Sequence, residues 1–176
     1  MRHRGDDGVT LIELLVVLSI SGVVATAIAA AFAVGVKTTD TANKRLAGSQ
    51  GAQIATSFFP SDVRTSKTGP AAAGSCNTGT SKARFDWNDA DAGTPPVVTA
   101  KRAEYCAVTA GTPAQTDLVR EYRENGSLVG SVIVAYKITS ASVGCAPDCT
   151  APVSVTLTVL APDNSDFTVT GRRRMP

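Results

Sequence analysis

Two hydrophobic periods divide the chain. From Leu14 to Val36, 23 residues pass without a charge, and the run stops at Lys37. A bilayer core of about 30 Å takes roughly 20 apolar residues of helix, so the run predicts a membrane-spanning helix. Its polar interior residues are Ser19, Ser21 and Thr26, whose hydroxyls can bond back to helix carbonyls. After Lys37 the pattern becomes one-sided. Ala42, Leu46, Gln50, Ile54, Phe58 and Asp62 run at i+4, beside Ala47, Gly51, Ala55, Phe59 and Val63. The stripe Ile54, Ala55, Phe58, Phe59 and Val63 predicts a helix seam against a sheet. Pro60 removes the bond to the Thr56 carbonyl, predicting a kink there or a helix end near Phe59 with a short turn through Arg64.

Residues 65–82 are rich in Gly, Ser, Thr and Pro and read as a loop. From Ala83 the period is two. Ala83–Asn88 predicts a strand with Phe85 and Trp87 on one face; Val97–Ala107 alternates less cleanly. Leu118–Arg123 and Leu128–Ile138 are strands joined at Asn125-Gly126, a strong hairpin signal. Val153–Leu160 and Phe167–Thr170 form a second hairpin around the Pro162–Ser165 turn. The expected fold is α+β: one long N-terminal helix, then an antiparallel β-sheet on which residues 42–63 pack.

Composition narrows the function. The residues beyond the helix number roughly 110, one small domain. Aromatics make up only 5% of the 176 residues, too few for a base-stacking platform. Net charge is +2, which implies no strongly electrostatic partner. Arg2 and Arg4 before the span weakly favour a cytoplasmic N-terminus, a signal blunted by Lys37, Lys44 and Arg45 beyond it. Cys76, Cys106, Cys145 and Cys149 then all fall outside the membrane, where an even count suggests disulfides. Four cysteines allow three connectivities. The Cys145-Ala-Pro-Asp-Cys149 turn favours Cys145–Cys149 and, by exclusion, Cys76–Cys106. The other reading is zinc, whose usual spacing sets two close pairs; Cys76 and Cys106 are far apart.

Glu13 is the residue out of place. An acidic residue at a helix centre in the membrane costs about 2.5–3.5 kcal/mol, less near the interface, and marks a functional site by default. Gly8-Val9-Thr10-Leu11-Ile12-Glu13-Leu14 and the apolar run behind it resemble the N-terminus of type IV pilins and pseudopilins. The resemblance implies a pilin-like fold and a leader, residues 1–8, removed by a prepilin peptidase between Gly8 and Val9. It also implies N-methylation of Val9, which stands where the family usually has Phe. Glu13 would be the glutamate that meets the N-terminal amine of a neighbouring subunit, fixing register during assembly. The implied division is leader 1–8, transmembrane and assembly helix 9–36, amphipathic continuation 37–66, and extracytoplasmic β-domain 67–176. Phe59-Pro60-Ser61-Asp62-Val63-Arg64, Ala103–Val108 and Leu118–Tyr122 loosely resemble J-type minor pseudopilins and competence pseudopilins.

The implied partners are the prepilin peptidase, other pilin or pseudopilin subunits, an inner-membrane assembly platform and membrane lipid. The filament would be a type IV pilus or a type II secretion or competence pseudopilus. A plain single-pass anchor accounts for the length but not for Gly8 and Glu13. A secretory signal has a shorter apolar region. A membrane-anchored extracellular binding module, not polymerised, is the alternative from another class.

No cofactor or enzyme chemistry is read. The one histidine, His3, lies in the expected leader, so no His-based triad or His-ligated metal is expected in the mature chain. A Walker-type phosphate loop is absent. Asp86, Asp89 and Asp91 faintly resemble a calcium loop but lack its Gly and Glu; a solvated turn is the simpler reading. Arg172-Arg173-Arg174 offers a weak DNA-phosphate contact, though such a tail is usually just solvated.

Overall fold

The computed structural model describes residues 10–71, 74, 76–162 and 165–174. Thr10 opens the helix. Its Oγ1 accepts a long hydrogen bond, 3.4 Å, from the Glu13 N–H. Thr-x-x-Glu is the spacing of a capping box. Helix α1 (Leu11–Thr65) follows. The Ser19 and Thr26 hydroxyls donate to the carbonyls of Leu15 and Val23, so these polar side chains are satisfied inside the apolar run.

Contacts divide the chain after Asn43. The first unit is α1 up to that point. Its apolar side chains, from Leu11 to Val36, are all exposed. By length and composition this helix is able to cross a membrane. The second unit, from Lys44 onward, holds the core. Here α1 buries Ala55, Phe59 and Val63, with Ile54 and Phe58 half-buried. That is the stripe the sequence predicts.

Of the two outcomes expected at Pro60, the end near Phe59 does not occur: α1 runs through Pro60 to Thr65, close to the end of the 37–66 continuation. The last turn is held from outside the helix ladder. Val63 is buried and Asp62 is bonded to two strands. The Thr65 hydroxyl also donates back to the Ser61 carbonyl at 2.9 Å.

Among the described residues seven strands follow: β1 (Thr80–Ala90), β2 (Val98–Ala110), β3 (Gln115–Glu124), β4 (Ser127–Ala135), β5 (Ser140–Ala146), β6 (Ser154–Leu160) and β7 (Asp166–Arg172). They form two antiparallel meanders, β1-β2-β3-β4 and β5-β6-β7, rather than one sheet. The β3–β4 hairpin turns at Asn125 and Gly126, both at positive φ (49° and 86°), as the Asn-Gly pair predicts.

The sheets part after β4. Lys137 takes φ 52° and turns the chain off the ladder. The Ile138 N–H then donates to the Thr116 carbonyl on β3, and the Thr139 N–H to the Leu160 carbonyl on β6. The connector thus ties one sheet to the other, and β4 ends at Ala135 instead of the expected Ile138. Strand β4 is left as an edge with no charged residue, and Leu128, Val129 and Val132 are exposed along it.

One core lies between α1 and both sheets. Its centre is three rings: Phe59 from α1, Phe85 from β1 and Tyr105 from β2. They meet edge to face with centroids 5.4–6.0 Å apart, the arrangement aromatic quadrupoles favour. On β7, Gly171 lies so close to α1 that a Cβ there would stand 2.6 Å from the Val63 Cβ, so only glycine admits the helix.

Phe59→Ala is expected to cost about 3–5 kcal/mol, measured by chemical denaturation of the full chain in detergent. Leu46→Ala, at an exposed position, should stay within about 0.5 kcal/mol. Equal losses for the two would contradict the placement of the core.

Candidate functional site

Glu13 sits in the first turn of α1 with its backbone N–H on the Thr10 cap. An acidic side chain is favoured there by the helix dipole, by about 0.3–1 kcal/mol at an exposed site. The bond to Thr10 comes from the backbone, so it sets the helix start without calling on the Glu13 carboxylate. The predicted processing residues Gly8 and Val9 lie outside the described residues.

All four cysteines are joined, Cys76 to Cys106 and Cys145 to Cys149, with Cα atoms 6.0 and 5.1 Å apart. The first bridge pins the loop before β1 over the outer face of β2. This explains why β2 alternates poorly: Ala103 and Tyr105 face the core, while Glu104 and Cys106 are buried beneath the loop. The second bridge closes the turn after β5. There the Asp148 carboxylate accepts the N–H groups of Thr150 and Ala151, which hold its pKa below the usual carboxylate value.

The three aspartates of the weak calcium pattern do not converge. Asp86 pairs with Arg84 and Arg102, each at 2.8 Å. Asp89 pairs with Lys101 at 2.8 Å. Asp91 accepts the N–H groups of Gly93 and Val97. Each carboxylate is occupied separately. The basic tail is likewise divided: Arg172 ends β7, while Arg173 donates its guanidinium to the Lys67 carbonyl and its backbone N–H to the Val153 carbonyl.

Sequence reasoning missed a buried polar centre. Asp62, on the last turn of α1, accepts a two-pronged bond from Arg120 on β3: Nε to Oδ2 and Nη2 to Oδ1, both 2.7 Å. The Tyr105 hydroxyl donates to the same Oδ2 at 2.8 Å. The Asp62 and Arg120 side chains are 5% and 11% exposed. The Arg120 guanidinium also lies over the Phe58 ring, 4.9 Å from its centroid. Burial, then the Asp62 charge, raise the Tyr105 pKa well above its ordinary value of about 10. The faint signal was polarity in the wrong place: Asp62 on the apolar stripe, and Arg120 on the inward face of β3 between Leu118 and Tyr122. A second buried acid, Glu104, was read only as part of an alternating strand.

A family model, the prokaryotic N-terminal methylation motif, matches residues 3–29. The match supports a type IV pilin-like chain. It spans the N-terminal segment alone and does not reach the sheets. Neither the curated proteins nor the solved structures contain a match. Motif and apolar helix together fit a single-pass membrane-anchored protein.

Two outcomes are expected at the polar centre. Arg120→Ala leaves the Asp62 carboxylate buried and should cost about 3–5 kcal/mol. Arg102→Ala, in the more exposed pair with Asp86, should cost no more than about 1 kcal/mol. Because the folded chain holds the Tyr105 proton more tightly than the unfolded chain, this contribution is complete below about pH 10 and is lost as pH rises above it. Thermal unfolding midpoints of the full chain should therefore fall above about pH 10, less steeply in Tyr105→Phe. An unchanged alkaline slope in that variant would remove Tyr105 from the account.

Proposed function

We propose that this chain is a pilin-like structural subunit, cut after Gly8 and assembled into a filament through its N-terminal helix. The observation that carries this reading is the coincidence in one segment of three features. The methylation motif spans residues 3–29. The uncharged run that follows forms one uninterrupted helix. Its single acid before Lys37, Glu13, sits at the first turn.

The proposed mechanism follows from solvent. In the bilayer, residues 9–36 bury their apolar surface in lipid. Leaving it requires the same surface to be covered by other subunits' helices. Small residues at Ser19, Gly22, Ala25, Ala29 and Ala33 allow helix backbones to approach closely. The amine of a neighbour's cut Val9 would neutralise Glu13, so the pair would form only in the correct axial register. The boundaries proposed are leader 1–8, span 9–36, continuation 37–66 and β-domain 67–176, with the N-terminus cytoplasmic and the β-domain outside. The platform in the inner membrane and the peptidase are the partners of this route. A minor subunit, initiating or capping the filament of a pilus, secretion or competence system, is the favoured role within the class.

Mass spectrometry of the chain from its native membrane should show loss of residues 1–8 and one methyl group on the Val9 amine. An intact Met1 would point instead to an anchored, unpolymerised binding module. Glu13→Ala should leave cleavage and membrane insertion intact and reduce recovery in sheared filaments at least about tenfold, the effect of losing about 1.4 kcal/mol per subunit. Incorporation equal to wild type would refute the pairing.

A further inference from the structure

The Glu104 side chain is fully buried on the outer face of β2, and among the described residues neither carboxylate oxygen has a hydrogen-bond partner. An ionised carboxylate in such a place costs several kcal/mol unless a cation or donors meet it. Beside it, the Ser81 hydroxyl is also buried with no partner among the described residues. Ser81 is registered opposite Cys106 across the β1–β2 ladder. Gly74 covers both groups: a Cβ there would run into the Glu104 carboxylate and come within 2.9 Å of Ser81 Oγ. A carboxylate oxygen of Glu104 and the sulfurs of Cys76 and Cys106 all lie within 4.8 Å of one another.

We propose that the dithiol form of this chain binds one Zn2+ through Cys76, Cys106 and Glu104, with Ser81 Oγ at the fourth position. A tetrahedral zinc ion has bonds of about 2.3 Å to sulfur and about 2.0–2.2 Å to oxygen, which sets its ligand atoms about 3.4–3.8 Å apart. Small shifts within the observed cluster reach that spacing once the sulfurs are no longer bonded to each other. Two thiolates make the site soft and select zinc over magnesium or calcium. The ion turns a buried trianion into a monoanion, and it supplies the partner that Glu104 lacks. On binding, each cysteine thiol gives its proton to solvent.

Disulfide and metal exclude each other. An external disulfide oxidant ends the site in a balanced exchange. The two cysteine thiolates lose two electrons and join as Cys76–Cys106. The oxidant's S–S bond takes those electrons and leaves as two thiolates, and Zn2+ passes to solvent. The bridge seen in the structure is then the product state of a site that first holds the loop on β2 through metal.

The test uses the full chain in detergent, reduced with a phosphine, and titrated with Zn2+ against a chromophoric chelator and separately with Co2+. The reduced wild type should take one ion per chain, and the oxidised chain none. Glu104→Gln should weaken binding at least about tenfold. The double variant Cys145→Ser/Cys149→Ser should bind as wild type. Cobalt should give the visible bands of a tetrahedral ion and a sulfur-to-metal charge-transfer band, a readout that needs no variant. A reduced wild type that takes no zinc overturns the proposal. So does a sulfur-free octahedral cobalt spectrum, undiminished binding in Glu104→Gln, or loss of binding in the Cys145/Cys149 variant.

Discussion

The β-domain is organised around one buried carboxylate. Asp62 leaves the helix where the apolar stripe ends and takes three hydrogen bonds from two strands, two from Arg120 and one from Tyr105. The pair therefore fixes both the rotation of α1 about its axis and its position along β2 and β3, because two parallel N–H bonds tolerate little slip. The three-ring cluster lies within one turn of that point. Its edge-to-face contacts are available only with the helix so placed. Apolar burial supplies most of the stability, while the polar centre selects one arrangement among those that would bury similar area.

The same helix meets two different demands along its length. Before Lys37 it is apolar on every side, which suits lipid or a bundle of like helices. Around Phe59 it is apolar on one stripe, which suits a sheet. No loop separates the two regimes. The change is made by composition alone, within a continuous hydrogen-bonded ladder.

Much of this was readable from residue order. The uncharged run, the stripe at Ala55, Phe59 and Val63, and the Asn-Gly turn all depend on local periodicity, and they appear where that periodicity puts them. Strands β1, β3, β6 and β7 were visible because each buries one face against the core. Strand β5 was not, since Ser140-Ala141-Ser142 offers little contrast between faces. Strand β2 was blurred because it is covered on both sides near Glu104. The split into two sheets turns on one left-handed residue, Lys137, a backbone state that side-chain alternation does not encode. Pro60 left the end of the helix open in the sequence, because the rule for an isolated helix omits the tertiary bonds that hold the last turn. The place of Glu13 at the start of the apolar helix was legible from its neighbours in sequence. The Asp62–Arg120 pair joins residues 58 apart, and only the three-dimensional register of helix and strand brings them together.

The continuity of α1 has a mechanical consequence. Force carried along the helix enters the β-domain first at Gly51 and Ala55, and only afterwards at Phe59, Asp62 and Val63. Asp62–Arg120 lies near the far end of that contact, so the clamp is reached only after the apolar contacts of Ala55 and Phe59.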